Sequence, residues 1–73
     1  KLPKRMIQLE RMAAGFEPDR RYSEFEVNVT LMAFAIDHVF ARRLLVEWGF
    51  LGRETDGSAY WLLRTERPET APR

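Results

Sequence analysis

The feature that most limits what this chain can become lies in its second half, ARRLLVEWGFLGRETDGSAYW. There a helical run stops at Gly49 and two short β-prone runs follow at once around Asp56-Gly57. Glycine just past the last periodic residue ends a helix well, because it takes positive φ without a Cβ penalty. Asp-Gly between two strands is among the strongest short hairpin signals, and the type I′ turn it favours asks for positive φ at both central residues. The second half therefore commits to a helix joined directly to a hairpin, with strands over 52–55 and 58–64. Alternation sets Tyr60 and Leu62 on one side of it, Trp61 and Leu63 on the other.

Upstream, residues 3–15 read as a first helix. Pro3 suits the first turn, and Leu2, Met6, Leu9, Ala13 and Phe16 recur at helical spacing. Gly15 supplies the stop, and a polar loop, Phe16-Glu17-Pro18-Asp19, runs to Arg20-Arg21-Tyr22. Ser23 followed three residues later by Glu26 is a capping box, and Glu24 and Glu26 suit the positive end of a helix dipole. Val27, Leu31 and Phe34 mark one stripe, with Phe25, Val29, Met32 and Ile36 on an adjacent one. A helix apolar over so much of its girth is expected at the centre of the fold. Asp37 then caps a third helix from about His38 to Trp48, with Ala41, Leu45 and Trp48 inward and Arg43 and Glu47 outward. Almost nothing separates the second helix from the third, so the two are expected to cross as in a helix-turn-helix. The fold class expected is α+β and winged-helix-like, three helices followed by a two-stranded hairpin wing. The domain spans 1–64, and 65–73 is a frayed tail.

Seventy-three residues suffice for one core and no second domain. The chain is 45% hydrophobic and 32% charged, a soluble globular balance. No apolar run approaches the ~20 residues of a membrane helix, so no membrane partner is expected and the location expected is cytoplasmic. No cysteine is present, which excludes disulfides and thiolate metal sites, and the lone His38 cannot hold a metal by itself. Neither metal nor cofactor is expected. His38 beside Asp37 or near Glu47 lacks a nucleophile and an oxyanion site, and Ser23 and Ser58 are explained by a cap and a turn. The reading is non-enzymatic. Lys1 in place of Met and the Pro-rich end ERPETAPR suggest a piece of a longer protein. There is no internal repeat, and low complexity is confined to that tail.

Net charge is only +1, so any polyanion surface must come from how the fold gathers its cations. Residues 1–22 carry six basic and three acidic side chains, whereas residues 23–36 carry only Glu24 and Glu26. Candidate DNA contacts are Arg42, Arg43 and Arg53 near the wing, with Arg20 and Arg21 before the Ser23 cap. The bland alternative pairs Arg42 with Glu26 or Glu47 and leaves Arg43 solvated. Candidate protein contacts are Phe40 and Leu44, four residues apart on the third helix, together with Trp61 on the wing. Their bland alternative is that Phe40 and Leu44 cover the first helix and that Trp48, Tyr60 and Trp61 are core. What separates the two functions is whether the outer face of the third helix is basic or apolar once folded.

The segments GFEPDRRYSE, YSEFEVN and ARRLLVEWGFLGRETDGSAYW resemble the domain-of-unknown-function family 2087, a small winged-helix-like bacterial module, from about Lys4 to Leu63. The likeness rests on Tyr22, Ser23, Glu24, Glu26-Val27-Asn28, Asp37, Arg42-Arg43, Leu45-Val46, Trp48, Gly49, Leu51, Arg53, Asp56-Gly57 and Tyr60. The chain departs from the pattern at Ala41, where leucine is usual, and at Leu44, where an acid is usual; Phe40, larger than typical, is expected to fill the space beside Ala41. Such domains stand alone or attached to transcriptional regulators, so the resemblance implies a regulatory, DNA-associated role. The favoured reading is a regulatory module contacting duplex DNA. Its rival is an interaction or dimerisation module without DNA contact, pairing with a second copy or an adjoining regulator domain.

Overall fold

The computed structural model describes residues 4–35 and 37–68. The elements run α1 (Lys4–Ala13), β1 (Arg21–Tyr22), α2 (Glu24–Met32), α3 (His38–Glu47), β2 (Leu51–Arg53) and β3 (Tyr60–Leu62). The class is α+β, three helices with a small antiparallel sheet in the order β1-β3-β2. The sheet has three strands where two were expected. The additional one is the end of the loop before α2, with Arg21 opposite Trp61 and Tyr22 opposite Tyr60. Two residues are too few to show alternation, so this strand exists only through its pairing with β3. Among the described residues no helix is long and apolar enough to cross a membrane.

Local chemistry accounts for the helix ends. Ser23 Oγ accepts from the Glu26 N–H at 3.1 Å and Glu26 Oε1 accepts from the Ser23 N–H at 2.8 Å, so the capping box forms in full. Asp37 Oδ1 accepts from the Phe40 N–H at 3.0 Å and starts α3. At the other end of α3, Gly49 takes φ 81°. The Phe50 N–H reaches the Leu45 carbonyl at 2.8 Å and the Gly49 N–H reaches Val46 at 3.1 Å, a complete Schellman stop. α2 ends at Met32, earlier than its apolar run suggests. Thr30 Oγ1 donates to its own helix at the Glu26 carbonyl, and the Leu31 carbonyl is taken by both Phe34 and Ala35. Ile36, assigned to α2 by pattern, lies outside the described residues, as does Leu2 of the first helical stripe.

The core gathers one face of every helix over the inner face of the sheet: Met6, Leu9, Met12 and Ala13 from α1, Val27 and Leu31 from α2, Ala41 and Leu45 from α3, with Phe16, Tyr22, Phe50, Leu51 and Tyr60. No polar or charged residue among those described is buried. α2 is not the central helix. Only Val27 and Leu31 of it are buried, because a core of this size takes one stripe of a nine-residue helix and leaves the second outside.

Two further expectations need correction. The β2–β3 connection is not a type I′ turn, since Asp56 is not at positive φ; among the described residues Asp19 alone of the non-glycines is. The Gly57 N–H instead closes a four-residue turn onto the Glu54 carbonyl at 2.9 Å, and Gly57 itself takes φ 77°. Asp56 Oδ1 accepts from the Ser58 N–H at 2.9 Å, and the hydrogen bonds from Ser58 hold the Asp56 carboxyl below its usual range. Nor does the chain fray from residue 65. Arg67 clasps Glu10 of α1 with its guanidinium at 2.6 and 2.7 Å and its backbone N–H at 2.9 Å. Residues 69–73 lie outside those described.

Two predictions follow from these geometries. A β-branched side chain at positive φ is strained, so Gly57→Val should cost about 1 to 3 kcal/mol by chemical denaturation, and Gly57→Asn less. Equal midpoints for the three proteins would mean that residues 54–59 do not hold this turn. The second concerns acid. The Arg67 hydrogen bonds lower the Glu10 carboxyl from 4.5 to about 2. A carboxylate depressed in the folded state contributes stability that is whole above its unfolded value and disappears as pH falls through its folded value. The clasp should thus open between about pH 4.5 and pH 2, and Glu10→Gln should remove that part of the acid transition. An acid titration unchanged by Glu10→Gln would refute the clasp.

Candidate functional site

The arginines expected to contact DNA do not form one free surface. Arg42, from the middle of α3, turns back onto α2, where Nη2 pairs with Glu24 at 2.8 Å and Nη1 donates to Asn28 Oδ1. Its side chain is only 13% exposed. Glu24 is thus the partner, rather than Glu26 or Glu47, because Glu24 and Asn28 lie one helical turn apart on the side of α2 that faces α3. Arg20 and Arg21 diverge although adjacent in sequence, as neighbours in an extended segment must. Arg20 stacks on the Tyr22 ring at 4.6 Å and lies 3.8 and 3.7 Å from Glu17 and Glu26. Arg21 stacks on the Trp61 indole at 4.6 Å and pairs with Glu54. Arg53 folds over its own turn, donating to the Glu54 and Thr55 carbonyls at 3.1 and 3.3 Å. Arg43 is exposed, with no ion pair or hydrogen bond among the described residues.

Three of these arginines nevertheless share a hollow. Arg42, Arg43 and Arg53, with Val46, Glu47 and Tyr60, line an open cavity of about 380 Å³ between α3 and the hairpin. Its cations are weakened for an anion by Glu47 in the wall and by the commitment of Arg42 to Glu24. The outer face of α3 is not basic: Val39 and Phe40 are nearly half exposed there, and Arg43 is offset by Glu47.

The apolar candidates fare differently from one another. Leu44 packs against the core, and Phe40 sits at the seam of α1 and α3 with the Arg5 guanidinium 5.3 Å from its ring. Leu44 thus belongs to the packing while Phe40 stays nearly half exposed, so the two do not form one exposed strip. Trp61 lies across Gly52 on the outer face of the sheet, so close that a Cβ on Gly52 would fall 2.3 Å from the indole nitrogen. Among the helices, the most exposed apolar side chains are on α2 instead. Phe25, Val29 and Met32 are 73%, 51% and 59% exposed on one face, and Phe34, just past the helix end on the side of α1, is also exposed. Their spacing of four and three residues is visible in the sequence, where it reads as a second buried stripe.

One family model matches the chain over residues 1–62, nearly all of the folded part; its description is uncharacterized protein conserved in bacteria (DUF2087). No curated protein and no solved structure matches.

The two neighbouring arginines of α3 should separate cleanly in stability. Arg42 makes charge-assisted bonds from a largely covered position, so Arg42→Ala should cost about 1.5 to 3 kcal/mol, whereas Arg43→Ala should stay within about 0.5 kcal/mol. Chemical denaturation of both variants checks this. A neutral Arg42→Ala would return that side chain to the pool of free cations.

Proposed function

The chain belongs to the DUF2087 family of bacterial proteins, and we propose that it is a non-enzymatic protein-interaction module of a bacterial regulatory protein, winged-helix-like in form, which docks through the outer face of α2. The order α1-β1-α2-α3-β2-β3 with β3 central supports the winged-helix likeness, since the hairpin then lies beside the third helix as a wing would. One observation carries the functional reading: Phe25, Val29 and Met32 are more than half exposed on a single helix face. Contiguous exposed apolar side chains rimmed by polar ones mark interaction surfaces, and here Glu24, Glu26 and Thr30 supply the rim.

DNA association is the second reading, favoured by the convergence of Arg42, Arg43 and Arg53 on one cavity. It asks more of the chain. Arg20, Arg21, Arg42 and Arg53 already bond within the molecule, and phosphate would have to displace carboxylates or carbonyls from most of them.

The two readings part in a paired measurement. The chain should leave duplex DNA unshifted at ~50 mM salt and high micromolar protein, where non-specific binders respond. It should also bind an apolar fluorescent dye of the kind that reports exposed hydrophobic surface. Phe25→Ser should reduce the dye signal while unfolding stability changes by no more than about 0.5 kcal/mol. DNA binding that weakens with salt and vanishes in Arg43→Ala would reverse the preference.

A further inference from the structure

We propose that the partner of the α2 face is a second copy of this chain, whose own α2 lies across it antiparallel about a two-fold axis near Val29. The proposal rests on the interaction reading above and names its occupant. Phe25, Val29 and Met32 follow one another at four and three residues, the spacing at which helices interlock side chains along a seam. The seam is nearly symmetric about Val29. An antiparallel copy therefore sets Val29 on its counterpart and Phe25 on the Met32 of the second copy, and each end of the seam meets side chains of matching bulk. A two-fold interface must be self-complementary in this way.

Charge decides the direction. The N-terminal end of the face keeps one carboxylate in excess, since Glu17 and Glu26 share the single Arg20 while Glu24 is paired with Arg42. At the C-terminal end, Arg11 of α1 stands beside Phe34, and the two share a small hollow with Gln8 and Met12. Arg11 is exposed and takes no part in the ion pairs among the described residues. Glu26, Thr30 and Phe34 lie along the edge of α2 that faces α1, since Thr30 and Phe34 both flank Gly15. A two-fold axis in the interface plane, perpendicular to the helices, brings this edge against the same edge of the second copy, reversed end for end. Glu26 of each copy then approaches Arg11 of the other. A parallel pair would instead bring the acidic ends together and align the helix dipoles, both unfavourable.

Size sets the strength. At these exposures the face offers on the order of 400 Å² of apolar side chain per copy, about half of the ~800 Å² per partner of a standard interface. The dimer is accordingly weak and reversible, formed at high concentration or when neighbouring segments raise the local one.

Sedimentation of the whole chain between ~10 μM and ~1 mM, the range in which a weak, reversible dimer is read, tests the proposal. The wild type should move from monomer towards dimer, Val29→Glu should remain monomeric with unchanged helix content, and Arg11→Glu should weaken association several-fold. The chain has no cysteine, so introduced ones report geometry directly. Mixed Phe25→Cys and Met32→Cys proteins should cross-link on mild oxidation, whereas Phe25→Cys alone should not. Self-cross-linking of Phe25→Cys in place of the mixed product would overturn the antiparallel arrangement. A wild type monomeric throughout would overturn the second copy as occupant, and with dye binding that Val29→Glu still abolishes it would leave the interaction reading intact. A Val29→Glu protein that unfolds would overturn both, because the face would then be part of the core.

Discussion

Everything beyond α3 depends on the chain reversing at Gly49. Its left-handed backbone, φ 81°, lets the Phe50 N–H return to the Leu45 carbonyl, and the Phe50 ring then falls wholly inside the core. The Phe50 carbonyl in turn receives the N–H groups of Leu63 and Arg64, so the residue that closes the helix also holds the far end of the hairpin. A side chain with a Cβ at residue 49 would be strained at that φ, and both attachments would loosen together. The sheet follows from the same anchor. Leu51 enters the core directly after Phe50, which fixes β2 against β3 in the register Leu51 to Leu62, and β3 then offers its free edge to Arg21 and Tyr22.

With the frame set this way, charge is spent mostly inside the molecule. Twelve basic and eleven acidic side chains nearly balance, and the fold pairs them across elements far apart in the chain: Arg21 with Glu54, Arg42 with Glu24, Arg67 with Glu10. Of these only the Arg21–Glu54 pair is exposed on both sides, and such a pair contributes little to stability. The effect all three share is on what remains available. A cation already held by a carboxylate offers a phosphate only an exchange of partners, so the balance that ties the elements together also removes the basic surface that a polyanion would need.

The parts legible in the sequence were those written in local chemistry. Ser23 with Glu26, Asp37 before α3 and Gly49 after it each act within four residues, and all three appear as read. The parts that were not legible depend on distant partners. β1 is two residues that mean nothing without β3, and the Glu10 clasp joins residues 57 apart. Arg42 chose Glu24 over two other carboxylates because of which edge of α2 faces α3, a matter of packing angle. The turn at Asp56-Gly57 was half right, since Gly57 takes the positive φ while Asp56 uses its side chain on Ser58. The α2 face is visible as a helical stripe, yet the pattern reads it as buried where it is exposed. Helical spacing reports that two stripes exist and says nothing of whether a 73-residue core has room for both.

That shortage of room bears on how α2 is held. Val27 and Leu31 are its only buried side chains, while Phe25, Val29 and Met32 face outward, so its hydrophobic anchorage is thin for nine residues. Isolated helices of this length are marginal in water, because nucleation costs more than so few turns return. The capping box at Ser23 and the Arg42 clip on Glu24 and Asn28 supply what packing does not. Both are polar, and both act on the edges of the helix, beside the apolar side chains of its outer face. Covering Phe25, Val29 and Met32 would add apolar anchorage to these polar attachments, and association at this face would tighten the helix that makes it.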